Sequence, residues 1–240
     1  MRELGSEEWN LGYARNFALL YSKSINADAV LFMDDDIEIK NLKLLDDLFN
    51  SLNKYKICGA NISGLIDDSI LGHIATDLKI YNPRMLSGGC MAFKPKGIEN
   101  YFLNNYNEDW IWLCLESENQ EYKQTGDVFQ NKADPFTNFQ KRVLFQEFGE
   151  IIIDGIFDIL KTHDFEILSK KSFWQKILVE REEYLNLLII NAQNQDKPRY
   201  YEIVNYVRQS LGIFNSTSFA SLFKKYFYNR NLFHKLFKFI

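Results

Sequence analysis

Residues 29–36 read Ala-Val-Leu-Phe-Met-Asp-Asp-Asp, and this stretch decides the fold that the sequence predicts. A short, uninterrupted apolar run that stops at polar residues is typical of a strand buried on both faces. In open α/β sheets, ligands bind in the crevice beyond the carboxyl ends of the strands. The sequence therefore predicts a buried strand that delivers three acidic side chains to a binding crevice.

Helical and strand patterns alternate around this stretch, up to about residue 138. Helices are predicted over 8–22, 42–52 and 107–115, and strands over 57–62 and 85–93. Asn107 is a suitable N-cap for the last of these helices, since two acidic residues follow it in the first turn. Alternation of this kind predicts an α/β fold with a mostly parallel sheet flanked by helices.

The character of the chain changes after residue 138, where only helical periodicity continues. Helices are predicted within 139–169, 173–190 and 200–211. We therefore predict two parts, an α/β part over 1–138 and a mainly helical part over 139–240.

Composition and charge narrow the class of protein. Hydrophobic residues make up 46% of the chain and charged residues 25%, as in ordinary globular proteins. The formal net charge of −4 argues against a nucleic-acid partner. The three cysteines form no disulfide or zinc pattern, which predicts a reducing, cytoplasmic location. No apolar run reaches the ~18 residues that a membrane-spanning helix needs.

The C-terminal segment 214–240 is basic and aromatic. It contains no acid, and its basic residues are Lys224, Lys225, Arg230, Lys235 and Lys238. Its aromatic residues recur at helical spacing, so a helix here could lie on an anionic membrane surface at the inner face of the membrane. The alternative is a terminal helix that packs on the domain with its lysines in solvent.

The acidic run suits a divalent cation. In an extended segment, Asp34 and Asp36 point to the same side because the side-chain period is two. Neighbouring carboxylates repel one another unless a cation or hydrogen bonds compensate them. Two such groups would suit Mn²⁺ or Mg²⁺, which would keep waters and take diphosphate oxygens as its other ligands. The alternative interpretation is a solvated acidic turn.

Four motifs, in this order, resemble the family 2 inverting glycosyltransferases of the GT-A fold. They are residues 11–16 (LGYARN), 30–36 (VLFMDDD), 87–93 (SGGCMAF) and 107–110 (NEDW). The resemblance spans residues 11–115. It implies a GT-A-like fold, a nucleotide-sugar donor, a saccharide or lipid-linked acceptor, and a role in surface glycan biosynthesis.

The resemblance assigns the catalytic and metal-binding roles. Asp34 and Asp36 match the pair that binds the metal and the donor diphosphate. Asp109 matches the carboxylate that deprotonates the acceptor hydroxyl, and Glu108 would orient it. Some members of the wider fold use a downstream histidine on the cation, so His163 is a further candidate ligand; a lone histidine is also common as a surface or packing residue.

The resemblance also assigns donor-binding residues. Gly88 and Gly89 match a loop whose backbone approaches the donor sugar and the acceptor. Arg15 and Asn16 match helix positions near the nucleotide, although Asn16 could instead brace a loop. Asp35, between the two metal-binding positions, is grouped with these residues.

Other interpretations stay open. Family members begin with strands that hold the nucleobase and ribose, whereas only ten residues precede the first motif here. The resemblance therefore implies an N-terminally truncated enzyme, or an inactive, glycosyltransferase-like binding subunit. A phosphotransferase with a DxD motif is a weaker alternative, because Glu38 occupies the position where that motif expects Thr or Val.

Overall fold

Helices and strands are interspersed up to residue 130, and the elements that the structure describes beyond it are all helices. The computed structural model describes residues 10–64, 68–80, 85–117, 122–130, 134–160, 162 and 164–237. The strands are β1 (Val30–Met33), β2 (Ile37–Glu38), β3 (Ile57–Gly64), β4 (Cys90–Phe93) and β5 (Tyr122–Gln130). The helices are α1 (Leu11–Ser24), α2 (Lys43–Ser51), α3 (Ile70–Asp77), α4 (Glu108–Glu116), α5 (Phe139–Ile159), α6 (Lys171–Asn194), α7 (Pro198–Ser210) and α8 (Ser216–Phe237). The predicted α/β part and helical C-terminal part are confirmed.

The five strands form one mixed sheet in the order β1-β4-β3-β5-β2. Strands β3 and β5 are parallel, whereas the pairs β1–β4, β3–β4 and β2–β5 are antiparallel. The prediction of a mostly parallel sheet is therefore wrong. The error arises at the connection from β3 to β4. Because these two strands are antiparallel neighbours, the chain leaves β3 and enters β4 at the same edge of the sheet, without a crossover to the opposite edge.

This topology brings three segments to one edge of the sheet. Strand β1 ends there at Met33, β3 ends there at Gly64, and β4 begins there at Cys90. The backbone N–H of Asp34 donates to the carbonyl of Gly89 at 3.0 Å, so the pairing of β1 with β4 continues past the strand. The acidic run and the glycines before β4 are thus neighbours.

Hydrophobic clusters contain residues from both sides of position 138. One cluster joins α4 to the C-terminal helices, and its members include Trp110, Ile152, Trp174, Phe219 and Phe223. A second joins α3 to α5, α6 and α7. Helix α4 lies between the sheet and α5. Its Trp112 and Leu113 belong to a third cluster, which also contains residues of β3 and β4. The two predicted parts therefore share their cores.

Helix α8 packs on the rest of the protein through its aromatic side chains. Phe219 and Phe223 are fully buried, and Phe219 stacks on Trp174 with ring centroids 5.0 Å apart. Tyr226 is buried too, and its hydroxyl donates to Asn100 Oδ1 at 3.0 Å. The aromatic face that could have met a membrane is thus largely inside the protein, and Lys224 lies exposed on the other face. No helix in the part of the chain that the structure describes is long and apolar enough to cross a membrane.

Candidate functional site

A pocket of about 120 Å³ lies at the sheet edge where β1 ends. Its charged and polar lining comprises Arg15, Asp34, Asp68, Asn107, Glu108 and Asp109. These side chains come from α1, the end of β1, the segment before α3, and the first turn of α4. Sequence motifs that lie far apart along the chain therefore meet in one small cavity.

Arg15 links three of these elements. Its Nη1 donates to Glu108 Oε1 at 2.6 Å, and its Nη2 lies 3.8 Å from Asp34 Oδ1. Both side chains of the Arg15–Glu108 pair are at least 94% buried. The guanidinium also lies over the ring of Phe32, 5.8 Å from its centroid. Arg15 thus ties α1 to β1 and α4, and lines the pocket.

The glycine loop, residues 87–89, touches both Arg15 and Asp109. The backbone N–H of Gly88 donates to Asp109 Oδ2 at 2.6 Å. A Cβ on Gly88 would lie 2.5 Å from Arg15 Nη1, and one on Gly89 would lie 3.1 Å from Asp34 Oδ2. A side chain at Gly88 would therefore require the buried guanidinium of Arg15 to shift, and one at Gly89 would be tightly packed against Asp34, so glycine suits the close approach of this loop to the charged groups.

Asp34 is partly buried in an acidic environment. Burial raises the pKa of its carboxyl; the nearby Arg15 opposes this rise, and the carboxylates of Asp109, Asp36 and Asp35 add to it. Because the charged form of Asp34 is destabilised, a cation beside it would be favoured. The electrostatics of the pocket therefore suit a positively charged ligand.

Asp36 does not line the pocket with Asp34. The chain turns at this point, and the N–H of Ile37 donates to the carbonyl of Asp34 at 3.3 Å. The argument from an extended segment is wrong here, because the turn removes the two-residue alternation of side chains. The exposed Asp36 instead accepts a bond from the Gln130 side-chain amide at 2.9 Å, and Asp35 is exposed on the same turn.

Asn16, another predicted site residue, lies away from the pocket. The Asn16 side chain donates to the carbonyl of Phe102 and accepts from its N–H, both at 2.7 Å. This pair of bonds braces the loop before α4, so the polar groups of Asn16 are engaged away from the pocket. His163 lies outside the residues that the structure describes.

The prediction missed two pocket residues, Asp68 and Asn107, as functional candidates. Asp34 follows β1 directly, and Asp68 lies four residues after the end of β3, so the rule that ligands bind beyond strand ends also favours the region around Asp68. Asn107 was predicted only as an N-cap. It takes a left-handed conformation with φ of 61°, and its side chain caps nothing in α4 but donates to Glu150 Oε1 at 3.0 Å.

A larger cavity of about 930 Å³ lies at the opposite end of β1. Its lining includes Lys23, Asn53, Lys94 and Lys96, and none of the predicted site residues. Size alone would favour this cavity as a ligand site. We assign the candidate site to the smaller pocket because it combines buried ionic contacts with a glycine loop that packs closely on its charged side chains.

The pocket offers an incomplete set of protein ligands for a metal ion. Among the residues described, no group of three or more His, Cys, Asp or Glu side chains could hold one. Asp109 is oriented by two backbone groups, since its Oδ1 accepts from the N–H of Trp110 and its Oδ2 from the N–H of Gly88, and each oxygen has a second lone pair. Asp34 is the carboxylate partner at the end of β1. Mg²⁺ in proteins is often bound by one or two carboxylates with substrate phosphates and water, and Asp34 fits that arrangement.

Comparison with protein-family models, with curated proteins and with solved structures finds no match to this chain.

Proposed function

We propose that this chain is a metal-dependent glycosyltransferase that moves a sugar from a nucleotide-sugar donor to a hydroxyl acceptor with inversion. The observation that carries the proposal is the meeting of Asp34, the glycine loop and Asp109 at one edge of the sheet. A surface acidic turn would not need a buried arginine behind it or a glycine loop packed against that arginine.

Asp109 is the proposed general base. Inversion at the anomeric carbon needs one group that removes the proton of the incoming hydroxyl, and a carboxylate within hydrogen-bond reach can do this. Asp109 lines the pocket beside Gly88, whose N–H holds one of its oxygens. Glu108 is held by Arg15 and keeps the first turn of α4 against α1. In this scheme Asp109 acts on the acceptor and Glu108 orients the helix.

Asp34 is the proposed ligand for Mn²⁺ or Mg²⁺. Acidic side chains in the pocket outnumber its basic ones, since Arg15 faces Asp34, Asp68, Glu108 and Asp109. A bare diphosphate would be repelled, so an anionic donor would enter together with a cation. When bound, the cation offsets the charge on the departing diphosphate as a Lewis acid. Asp36 is a second ligand only if its side chain leaves Gln130.

A second candidate function is a binding subunit without turnover. The pocket of about 120 Å³ is smaller than the roughly 300–1,000 Å³ that is usual for sites that enclose a whole ligand. The pocket would therefore take only the reacting end of a donor. If no donor turns over, this small volume favours a protein that binds a ligand in its acidic pocket, without a reaction, as part of a larger assembly.

Turnover from a panel of nucleotide sugars with Mn²⁺ tests the proposal. We expect Asp109→Asn to keep the donor-dependent rise in Tm and to lose transfer, while Asp34→Asn loses the metal-dependent part of that rise. Asp46→Asn, on the exposed face of α2, is the matched control and should change neither. Full transfer activity in Asp109→Asn would exclude the base assignment, and donor binding that needs no metal would exclude the cation.

A further inference from the structure

A buried ionic cluster lies between α5 and α6, behind the candidate site. Arg181 donates from Nε and Nη2 to both oxygens of Glu147, at 2.8 and 2.7 Å, and from Nη1 to Asp154 at 3.0 Å. Glu150, on the same face of α5, lies 3.9 Å from Arg181. Side-chain exposure is 4% for Arg181 and 14% for Glu150. One buried cation thus faces three carboxylates.

Glu150 is the carboxylate whose charge this arginine compensates least. The other two accept close hydrogen bonds from the guanidinium, whereas Glu150 lies beyond hydrogen-bond distance of it. Burial raises the pKa of Glu150 to about 7. Arg181 on α6 and the Asn107 amide lower it, while Asp154 on α5 and Asp68 before α3 raise it. Tyr184 on α6 also faces this cluster.

The cluster reaches the pocket through the turn at residues 106–107. The Asn107 amide donates to Glu150 Oε1 at 3.0 Å, and Asn107 lines the pocket. A Cβ on Gly149 would lie 2.3 Å from the carbonyl oxygen of Tyr106, so the backbone of α5 is in direct contact with this turn. The next residues, Glu108 and Asp109, open α4. Contacts from α5 therefore hold the turn from which the first residues of α4 project.

We propose that Glu150 is a positioning residue, which holds Asn107 and, through it, keeps Asp109 against the glycine loop. Because a carboxylate accepts a stronger hydrogen bond than a neutral carboxyl group, ionisation of Glu150 tightens this link. The inference rests on the proposed function where turnover is concerned. The position of α4 itself can be measured independently of any reaction.

Three substitutions and one control separate the effect of the hydrogen bond from that of the backbone conformation. Asn107→Gly removes the side chain and tolerates the left-handed φ. Its matched control is Asn138→Gly, because Asn138 is also a left-handed asparagine before a helix, with φ of 52°, and makes no side-chain cap bond. Glu150→Gln keeps a neutral acceptor of the same shape, and Glu150→Ala removes the acceptor.

Hydrogen exchange at the amide of Ile111 reports the position of α4, since this amide donates to the carbonyl of Asn107. We expect exchange roughly fivefold or more faster in Asn107→Gly and Glu150→Ala, and within about twofold of wild type in Asn138→Gly. Unchanged exchange in both Asn107→Gly and Glu150→Ala would overturn the proposal, whether or not any donor turns over.

Turnover against pH supplies the second measurement. We expect wild-type kcat to rise through a transition near pH 7, and Glu150→Gln to stay at the low-pH level throughout. Asn107→Gly should lower kcat about tenfold or more, since small displacements of a catalytic group are costly. A transition that persists in Glu150→Gln would assign it to another group and overturn the pH link. If wild type transfers no sugar from any donor, the proposed function fails, while the exchange data still decide the positioning role.

Discussion

Replacing Gly88 by alanine should destabilise the protein through Arg15. The new Cβ would lie 2.5 Å from Nη1 and 2.6 Å from Nη2 of Arg15. Unstrained contacts between such atoms are about 3.5 Å, so the guanidinium has to move by about 1 Å. That movement is enough to break its 2.6 Å bond to Glu108, inside a pair that is almost fully buried. A bond to a charged partner contributes about 1.5–3 kcal/mol, and leaving one buried charge unpaired costs about 3–5 kcal/mol.

We therefore expect the free energy of unfolding to fall by about 2–4 kcal/mol in Gly88→Ala, and Tm by roughly 4–16 °C. Urea unfolding followed by circular dichroism measures this loss. Gly212→Ala is the control, because a Cβ there meets nothing within 4 Å. In an Arg15→Ala background, Gly88→Ala should cost less than about 0.5 kcal/mol, since the clashing group is gone. An equal cost in both backgrounds, or a loss no greater than in Gly212→Ala, would refute the reasoning.

Three further predictions concern the packing behind the site. Gly149→Ala should lower the free energy of unfolding by about 1–3 kcal/mol, because its Cβ meets the backbone oxygen of Tyr106 and neither backbone can yield easily; urea midpoints check this. Burial raises the pKa of Glu150 from 4.5 to about 7, so the folded state binds this proton more tightly than the unfolded state does, and the free energy of unfolding falls as pH rises through that range. Glu150→Gln should flatten this fall between pH 5 and pH 8. A plot of unfolding free energy against pH with the same slope in wild type and variant would contradict the assignment. Phe219→Ala should cost about 3–5 kcal/mol, since the ring is fully buried against Trp174; a loss under about 1 kcal/mol would show that α8 is not part of the core.

Periodicity predicted the elements that have a clear apolar face or a fully apolar run. Strand β1 differs from its prediction by one residue, and helix α2 by one residue at each end. The prediction that β1 is buried on both faces is wrong, because β1 is an edge strand whose residues are half-buried or exposed. Strand β5 was not predicted, because its sequence Tyr-Lys-Gln-Thr-Gly-Asp-Val-Phe-Gln is mostly polar and only Val128 in it is buried. Helix α3 was missed too, although Ser69 caps it by accepting from the N–H of Gly72. A serine at such a position is a sequence signal for the start of a helix, so α3 could have been predicted from Ser69.

Strand direction could not be read from the sequence. An alternating series of helices and strands favours parallel crossovers, yet the chain returns to the same edge between β3 and β4. That return places the glycine loop beside Asp34. The pocket could thus be predicted as a set of motifs, whereas the contacts among Arg15, Gly88 and Asp109 depend on the tertiary fold.

The turn after Asp34 determines where the side chain of Asp36 lies. The two-residue alternation of a strand holds only while the backbone stays extended, and Asp34 is the last residue before the chain folds back. Nothing in a run of three aspartates shows where the extended backbone stops. Predictions about paired carboxylates at strand ends therefore need the backbone conformation of the residue between them.

The core that α4 shares with the C-terminal helices limits how the candidate site could evolve or be transferred to another protein. Trp110 and Ile111 follow Asp109 directly and bury themselves among side chains of α5 and α8. A fragment ending near residue 138 would leave these side chains facing water, so the candidate site cannot be separated from the helices together with the sheet alone. Substitutions in α5 or α8 that disturb this core would therefore also shift the start of α4, where Asp109 lies. Transfer of the site to another protein would have to include these helices.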